Sequence, residues 1–329
     1  MNLLAATSAD FADIDAEWWA WVGLFVLILG LLLLDLLVFH RRAHTVRTKE
    51  AAIESSVWIG IGLAFGLVIL ALYGGQASGE YYAGYLIEKS LSIDNVFVWA
   101  LIFSYFAVPR QFQHRVLFWG IFGALVMRLV FIFAGVALLD SFEWLLFVFG
   151  AFLIFTGLRL VKKKDEAVHP ENNPVLRVVR KVVPSTTTYD GQKLFTKANA
   201  KRLATPLFAV LVLIETTDVV FAVDSVPAVL AVSREQYIVF ASNAFAILGL
   251  RALYFLLADW HNRFEYLQQG LAIILVYVGI KMIVSHWYHI PTGISLVFIG
   301  LILLTSILLS LRKSKRESDE EPAPHPVHE

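Results

Sequence analysis

Apolar residues are gathered into runs of about 20, the length that an α-helix needs to cross the hydrocarbon core of a bilayer. Gly74-Gly75, the turn at Pro109 and short polar stretches separate these runs. The pattern predicts about nine transmembrane helices, at roughly 18–39, 51–74, 82–107, 114–138, 142–161, 205–231, 237–258, 266–286 and 291–311. We therefore expect an all-α polytopic membrane protein.

Polar segments divide the runs into two membrane halves. The first half covers 18–161 with helices one to five, and the second covers 205–311 with helices six to nine. Residues 1–17 are predicted to form a periplasmic N-terminus. The segment 162–204 is rich in Lys, Arg and Pro and is interpreted as a mobile, basic cytoplasmic linker. The polar segment 312–329 is expected to be a disordered cytoplasmic tail.

Composition and charge support this assignment. The chain is 58% hydrophobic and only 16% charged, which excludes an ordinary soluble domain. It contains no Cys, so disulfides, thiolate metal ligands and thiol redox chemistry are excluded. If the N-terminus lies outside, every loop cation except Arg234 falls on the cytoplasmic side. Because positive charge accumulates in cytoplasmic loops, this orientation is the predicted one.

Two of the apolar runs contain acidic residues, which are costly inside a membrane. A carboxylate at mid-membrane costs about 2.5–3.5 kcal/mol on insertion scales, so it needs a partner, a proton or a cation. Both runs follow one pattern: an acid, five residues, Asp, a small polar residue and Val. The candidate metal ligands in them are Glu88, Asp94, Asn95, Glu215, Asp218, Asp224 and Ser225.

The similarity between the two runs extends to the helices that follow them. Arg128 in the predicted fourth helix matches Arg251 in the seventh, and Gly157 in the fifth matches Gly279 in the eighth. Helices three to five, 82–161, are therefore repeated as helices six to eight, 205–286. Each helix of the second copy comes three spans after its counterpart, and because three is odd the two copies cross the membrane in opposite directions. We therefore expect two inverted three-helix repeats. Such repeats commonly place a substrate site at mid-membrane, on discontinuous helices.

The spacing of the acids bears on whether their helices are continuous. Residues six apart in an unbroken helix point about 240° apart around its axis, so the two acids of one copy, such as Asp218 and Asp224, could not face one ion. We therefore expect each acidic helix to be broken between its acids. Pro227 is taken as the break in the second copy, and the first copy is assigned one by analogy.

The candidate ligands are all oxygen donors, which suit hard divalent cations such as Mg2+, Ca2+ and Mn2+. The strong hydration of Mg2+ disfavours it and Zn2+ normally uses Cys or His, so Mn2+ and Ca2+ remain open on chemistry alone. Two other interpretations also stay open. Arg128 and Arg251 could act only as structural charge partners or gates, or the acids could form a proton relay. Asp35 is expected to snorkel to the interface or to pair with a loop cation.

The two acidic stretches, Glu88-Lys-Ser-Leu-Ser-Ile-Asp-Asn95 and Glu215-Thr-Thr-Asp218 through Phe221-Ala-Val-Asp-Ser-Val-Pro-Ala228, resemble the motifs of the TerC family. The resemblance covers about residues 18–311. It implies an inner-membrane protein associated with manganese export. We therefore expect an exporter of Mn2+ whose partners are the cation and membrane lipid, and we expect no enzymatic activity, no resident cofactor and no nucleic acid. The alternative roles that it implies are tellurium resistance or redox modulation without transport.

Overall fold

The computed structural model describes residues 11–14, 16–35, 48–142, 144–162, 184–186, 188–198, 201–257, 265–285, 287–288 and 290–320. This part of the chain contains nine helices and one two-stranded hairpin. The helices are α1 (Trp18–Leu34), α2 (Thr48–Tyr105), α3 (Arg110–Ser141), α4 (Leu145–Lys162), α5 (Pro206–Leu230), α6 (Gln236–Leu248), α7 (Leu250–Leu257), α8 (Glu265–Val284) and α9 (Thr292–Glu320). The strands β1 (Phe195–Ala198) and β2 (Lys201–Ala204) pair antiparallel. The predicted all-α membrane architecture is confirmed.

Helix α2 supplies two of the predicted passes. Its 58 residues would extend about 87 Å at 1.5 Å per residue, far more than the roughly 30 Å of a bilayer core. The backbone is interrupted at Gly74, whose φ of 87° is readily available to glycine. Beyond this break the helix folds back on itself. Two hydrogen bonds across the break show this: Tyr82 Oη donates to Leu63 O at 2.8 Å, and Ser78 Oγ donates to Gly66 O at 3.0 Å.

Length and composition separate the helices into those that could cross a membrane and those that are apolar but shorter. Four helices, α2, α3, α5 and the Thr292–Ser310 part of α9, are long and apolar enough to cross a membrane. The pair α6 and α7 counts as a fifth span and is bent by 40°. The shorter apolar helices of the described residues are α1, Leu145–Leu160 in α4 and Gln268–Val284 in α8. Each predicted apolar run thus corresponds to a helical segment.

Helices α4 and α8, the last helices of the two repeats, meet through symmetric contacts. A Cβ added to Gly157 would lie 2.8 Å from Ala272 O, and one added to Gly279 would lie 2.6 Å from Gly150 O. Gly157 and Gly279 are equivalent positions of the repeats, and so are Gly150 and Ala272, seven residues earlier in each. Each of the two glycines therefore packs on the residue of the other helix that is equivalent to its counterpart's partner. Such reciprocal contacts between antiparallel helices are what two inverted repeats related by a twofold axis require.

The other helices of the repeats cross in the same reciprocal way. A Cβ at Gly84 of α2 would lie 2.8 Å from Ser242 Oγ of α6. The equivalent Ile214 of α5 approaches Gly120 of α3, where a Cβ would lie 3.0 Å from Ile214 Cγ2. Ser242 and Gly120 are within one residue of equivalent positions. The first helix of each repeat thus packs on the second helix of the other.

The prediction that the acidic helices are broken is wrong. Helix α5 is continuous from Pro206 to Leu230 with Pro227 inside it, and α2 has no non-helical residue other than Gly74. Pro227 lies in the last turn, where few backbone hydrogen bonds follow it, and its carbonyl still accepts from Ala231 N–H at 3.1 Å. A discontinuity occurs at Gly249 instead, between α6 and α7, where a Cβ would lie 2.6 Å from Trp58 Cβ.

Two segments predicted to lack order are structured where they are described. In the segment 162–204, β1 and β2 form a hairpin, and Tyr189 Oη ties this region to α2 by donating to Phe106 O at 2.7 Å. Residues 163–183 lie outside the described residues. Helix α9 continues to Glu320, into the segment predicted to be a disordered tail.

The two ends of the bundle are distinct. One end, called here the Gly74 end, carries Gly74, the α5–α6 connection 231–235 and the residues before α1, as shown by the Ala12 N–H to Glu80 hydrogen bond and the packing of Tyr73 on Tyr237. The opposite hairpin end carries β1, β2 and the turn between α2 and α3. The buried core connects them and holds the candidate site.

Candidate functional site

An arginine lies at the centre of a fully buried polar group. Arg128 of α3 is paired with Glu88 of α2. The same Nη1 donates to Ser225 Oγ of α5 at 3.1 Å and to Asn243 Oδ1 of α6 at 2.8 Å. One guanidinium therefore connects both repeats. The Arg128 cluster is defined as Glu88, Asn95, Arg128, Asp218, Ser225 and Asn243.

The two acidic helices also contact each other directly. Asn95 Nδ2 on α2 donates to Asp218 Oδ1 on α5 at 3.2 Å, and Arg128 Nη2 lies 3.9 Å from the same oxygen. Glu88 and Asn95 are seven residues apart, as are Asp218 and Ser225, so each pair lies on one face of its continuous helix. The contact surface is thus built from equivalent faces of the two repeats.

The Arg128 cluster is shielded from the surface and is incompletely hydrogen-bonded. None of its residues is more than 2% exposed. Three of its oxygens have no hydrogen-bond partner among the described residues: Glu88 Oε2, Asn95 Oδ1 and Asp218 Oδ2. A buried acceptor left without a donor costs about 1–3 kcal/mol. These oxygens are therefore available to a hydrogen-bond donor or to a cation.

Glu215 extends the negative charge of the cluster by one helical turn. It precedes Asp218 by three residues on α5, and its carboxylate packs so closely on Gly123 of α3 that a Cβ there would collide with it. Glu88, Asp218 and Glu215, when ionised, carry three negative charges against the one positive charge of Arg128. The cluster with Glu215 therefore carries a net negative charge when its acids are ionised, and this charge attracts a cation.

Asp94 and Asp224 are not brought into the cluster. Because both helices are continuous, each Asp points away from the face that carries the cluster. Asp224 is half-buried and accepts from Thr156 Oγ1 of α4 at 3.4 Å. Asp94 is also half-buried and has no hydrogen bond or ion pair with the described residues. The predicted ligands are therefore divided: Asp94 and Asp224 each lie on a separate helix face, away from the face that carries the cluster.

Arg251 and Lys89 have partners elsewhere. Arg251 is paired with Asp35, which directly follows α1, and both are buried, so Asp35 does not snorkel and its cation partner here lies within a span. Lys89 points away from its neighbour Glu88, and its Nζ donates to Ala246 O at 3.1 Å. Ala246 lies near the end of α6, where backbone carbonyls favour a cation.

Within the described residues, no three His, Asp or Glu side chains converge as a ready-made metal site. The guanidinium of Arg128 contacts the carboxylates of both Glu88 and Asp218, and a guanidinium cannot coordinate a cation. Sequence analysis missed Asn243 and also Ser92, whose Oγ donates to Glu88 Oε1 at 3.3 Å. The signal for Asn243 was the polar pair Ser242-Asn243 inside an apolar run.

Comparison with known proteins gives consistent results. Residues 73–318 match the family described as "Integral membrane protein TerC family". An uncharacterized membrane protein of Myxococcus xanthus is 46% identical over 295 residues, covering 90% of this chain and 92% of that protein. The Alx protein of Escherichia coli (strain K12), named for a proposed role as a membrane-bound redox modulator, is 45% identical over 298 residues, covering 88% and 93%. No solved structure matches the chain.

Proposed function

The chain belongs to the TerC family of integral membrane proteins, and we propose that it is an inner-membrane transporter that exports a divalent cation, with Mn2+ as its substrate. The observation that carries the proposal is the Arg128 cluster. Two carboxylates, an amide and a hydroxyl from both inverted repeats converge there at full burial, with three oxygens unsatisfied. Intramembrane acids in such positions commonly mark ion pathways.

The chemistry of the donors selects the class of cation. Carboxylate, amide and hydroxyl oxygens suit Mg2+, Ca2+ and Mn2+, whereas softer metals prefer sulfur or imidazole. Mg2+ releases its water reluctantly, which disfavours it at a dry site. Between Mn2+ and Ca2+, the choice of Mn2+ comes from the resemblance to the TerC family.

Binding of the cation requires Arg128 to leave its partners. A divalent ion between Glu88, Asp218 and Glu215 would replace the neutralising role of the guanidinium, so Arg128 acts as a gate that closes the site when no cation is present. Asn95 and Ser225 supply neutral oxygens. Asp94 and Asp224, half-buried on other faces of their helices, hold equivalent places on the approaches to the site. Rocking of one repeat against the other would then open it to alternate sides.

Transport by the purified protein in liposomes tests the proposal. We expect Mn2+ to enter or leave the vesicles at rates above those of Mg2+ and Zn2+, and Asp218→Asn to abolish this flux. In cells, deletion of the gene should raise intracellular Mn, measured by elemental analysis across a Mn2+ series. A purified protein that carries none of these cations would favour the alternative, a component in tellurium resistance or redox modulation without transport activity.

A further inference from the structure

Two buried charges of opposite sign lie away from the Arg128 cluster, at the Gly74 end. Glu80 of α2 is 0% exposed, and Lys281, in the last turn of α8, is 1% exposed. Neither is hydrogen-bonded to the other, and their charges interact at longer range. Glu80 precedes Glu88 by eight residues, or about 12 Å along the helix, so the pair is separate from the cluster.

Both side chains keep polar atoms without a hydrogen-bond partner in the part of the chain that the structure describes. These atoms are Glu80 Oε2 and Lys281 Nζ. Burying a charge is costly unless it is paired in contact and hydrogen-bonded. The fully charged form of this pair is therefore only weakly favoured over a form in which the carboxyl is protonated.

Residues 11–14 form a strap over this pair. The backbone N–H of Ala12 donates to Glu80 Oε1 at 2.6 Å. The Arg234 guanidinium lies 5.6 Å from the centre of the Phe11 ring, which holds the strap against the α5–α6 connection. The strap is neither helical nor part of a sheet, and Ala12 in it lies directly over Glu80.

The chemistry of the pair suits a proton and not a metal. The ammonium of Lys281 repels a metal cation from the adjacent carboxylate, whereas a proton binds the carboxylate covalently. Lys281 is the charged group of the described residues that acts on Glu80; the groups facing it from α2, the α5–α6 connection and the strap are Gln76, Ser233 and Ala12, which are uncharged. Glu80 is correspondingly the group that acts on Lys281.

We propose that Glu80 and Lys281 form a proton-exchange site that the strap closes, and that protons taken up at Glu80 from the outer solution promote release of the exported cation. A proton on Glu80 leaves the charge of Lys281 uncompensated. The added positive charge disfavours a cation at the Arg128 cluster, so outward movement of the cation is exchanged for inward movement of protons. This coupling rests on the proposed function, whereas proton exchange at Glu80 and closure by the strap do not.

Closure is tested by labelling a single Cys. Ser233→Cys places a thiol at a fully buried position beside Glu80 in a chain that has no other Cys. Ala12→Pro removes the N–H that binds Glu80, and Ala12→Gly keeps it. Because a hydrogen bond to a charged group is strong, we expect Ala12→Pro to speed labelling by an impermeant maleimide about tenfold or more. Equal labelling of the Pro and Gly variants would overturn closure by the strap.

Proton exchange is tested by infrared difference spectra of the purified protein between acid and alkaline pH. A protonated-carboxyl C=O band should disappear in Glu80→Gln and persist in Asp13→Asn, which removes an exposed acid of the same strap. Identical spectra for Glu80→Gln and the parent would overturn the proton site. This measurement requires no transport.

Coupling is tested in liposomes by two assays of one preparation. At equal pH on both sides, Mn2+ should exchange with labelled Mn2+ in the parent and in Glu80→Gln alike. Under a pH gradient, the parent should accumulate Mn2+ and Glu80→Gln should not. Accumulation by Glu80→Gln at the parental level would overturn the coupling, whereas absence of exchange in the parent would overturn the proposed function itself.

Discussion

The guanidinium of Arg128 is paired with the carboxylate of Glu88, and both side chains are fully buried. The equivalent arginine of the second repeat, Arg251, is instead paired with Asp35, which directly follows α1. The two repeats therefore share a backbone arrangement and differ in the partners of their central arginines. The two repeats therefore share a single Arg128 cluster. The Arg251–Asp35 pair instead connects α1, which lies outside the repeats, to the second repeat.

We predict that Arg128→Met destabilises the protein by about 3–5 kcal/mol, because it leaves Glu88 as an uncompensated buried charge. The double variant Arg128→Met with Glu88→Gln should recover much of this loss, since it removes both charges. Thermal unfolding midpoints of the purified proteins in detergent give the comparison. Parental stability of the single variant would contradict a stabilising contact between the two side chains.

The contact between α4 and α8 should be sensitive to a single methyl group. Gly279→Ala would place a Cβ 2.6 Å from Gly150 O, and overpacking of this kind costs about 1–3 kcal/mol. Gly300→Ala is the matched control, because a Cβ there meets no atom within 4 Å. We expect lower thermal stability for the first variant alone. Similar midpoints would mean that the two helices are not in close contact in the membrane.

Asp218 and Asp224 should contribute unequally to cation binding. Asp218 lies in the Arg128 cluster, whereas Asp224 points to Thr156 of α4. Asp218→Asn is therefore expected to weaken Mn2+ binding about tenfold or more, the effect of losing at least 1.4 kcal/mol, and Asp224→Asn to weaken it less. Isothermal titration of the purified proteins measures both affinities. Equal losses would indicate that α5 breaks between the two acids when the cation binds.

The orientation of the chain is predicted from its loop cations, with the Gly74 end outside. Tyr288 near that end is 67% exposed, and the Lys193 side chain at the hairpin end is 62% exposed. In intact inner-membrane vesicles of right-side-out orientation, an impermeant maleimide should label Tyr288→Cys and spare Lys193→Cys. Inverted vesicles should reverse the result. Labelling of Lys193→Cys from outside would refute the predicted topology.

The sequence by itself determined the membrane class, the helical passes and the two repeats. These features depend on hydrophobic length and on local similarity, both of which can be read along one dimension. The matches of Arg128 with Arg251 and of Gly157 with Gly279 were sufficient to place the repeats in opposite orientations. The acidic stretches were likewise visible because a charge in an apolar run is conspicuous wherever the helix is placed.

Only the tertiary structure decided which polar residues meet. Pro227 appeared to break α5, but its position in the last turn leaves the helix intact, so Asp218 and Asp224 point to different neighbours. Asn243 entered the site and Arg251 left it because contacts between helices depend on rotation, depth and crossing, which residues far apart in sequence set together. Glu80 became a candidate for the same reason: its burial depends on Ala12, 68 positions earlier in the chain.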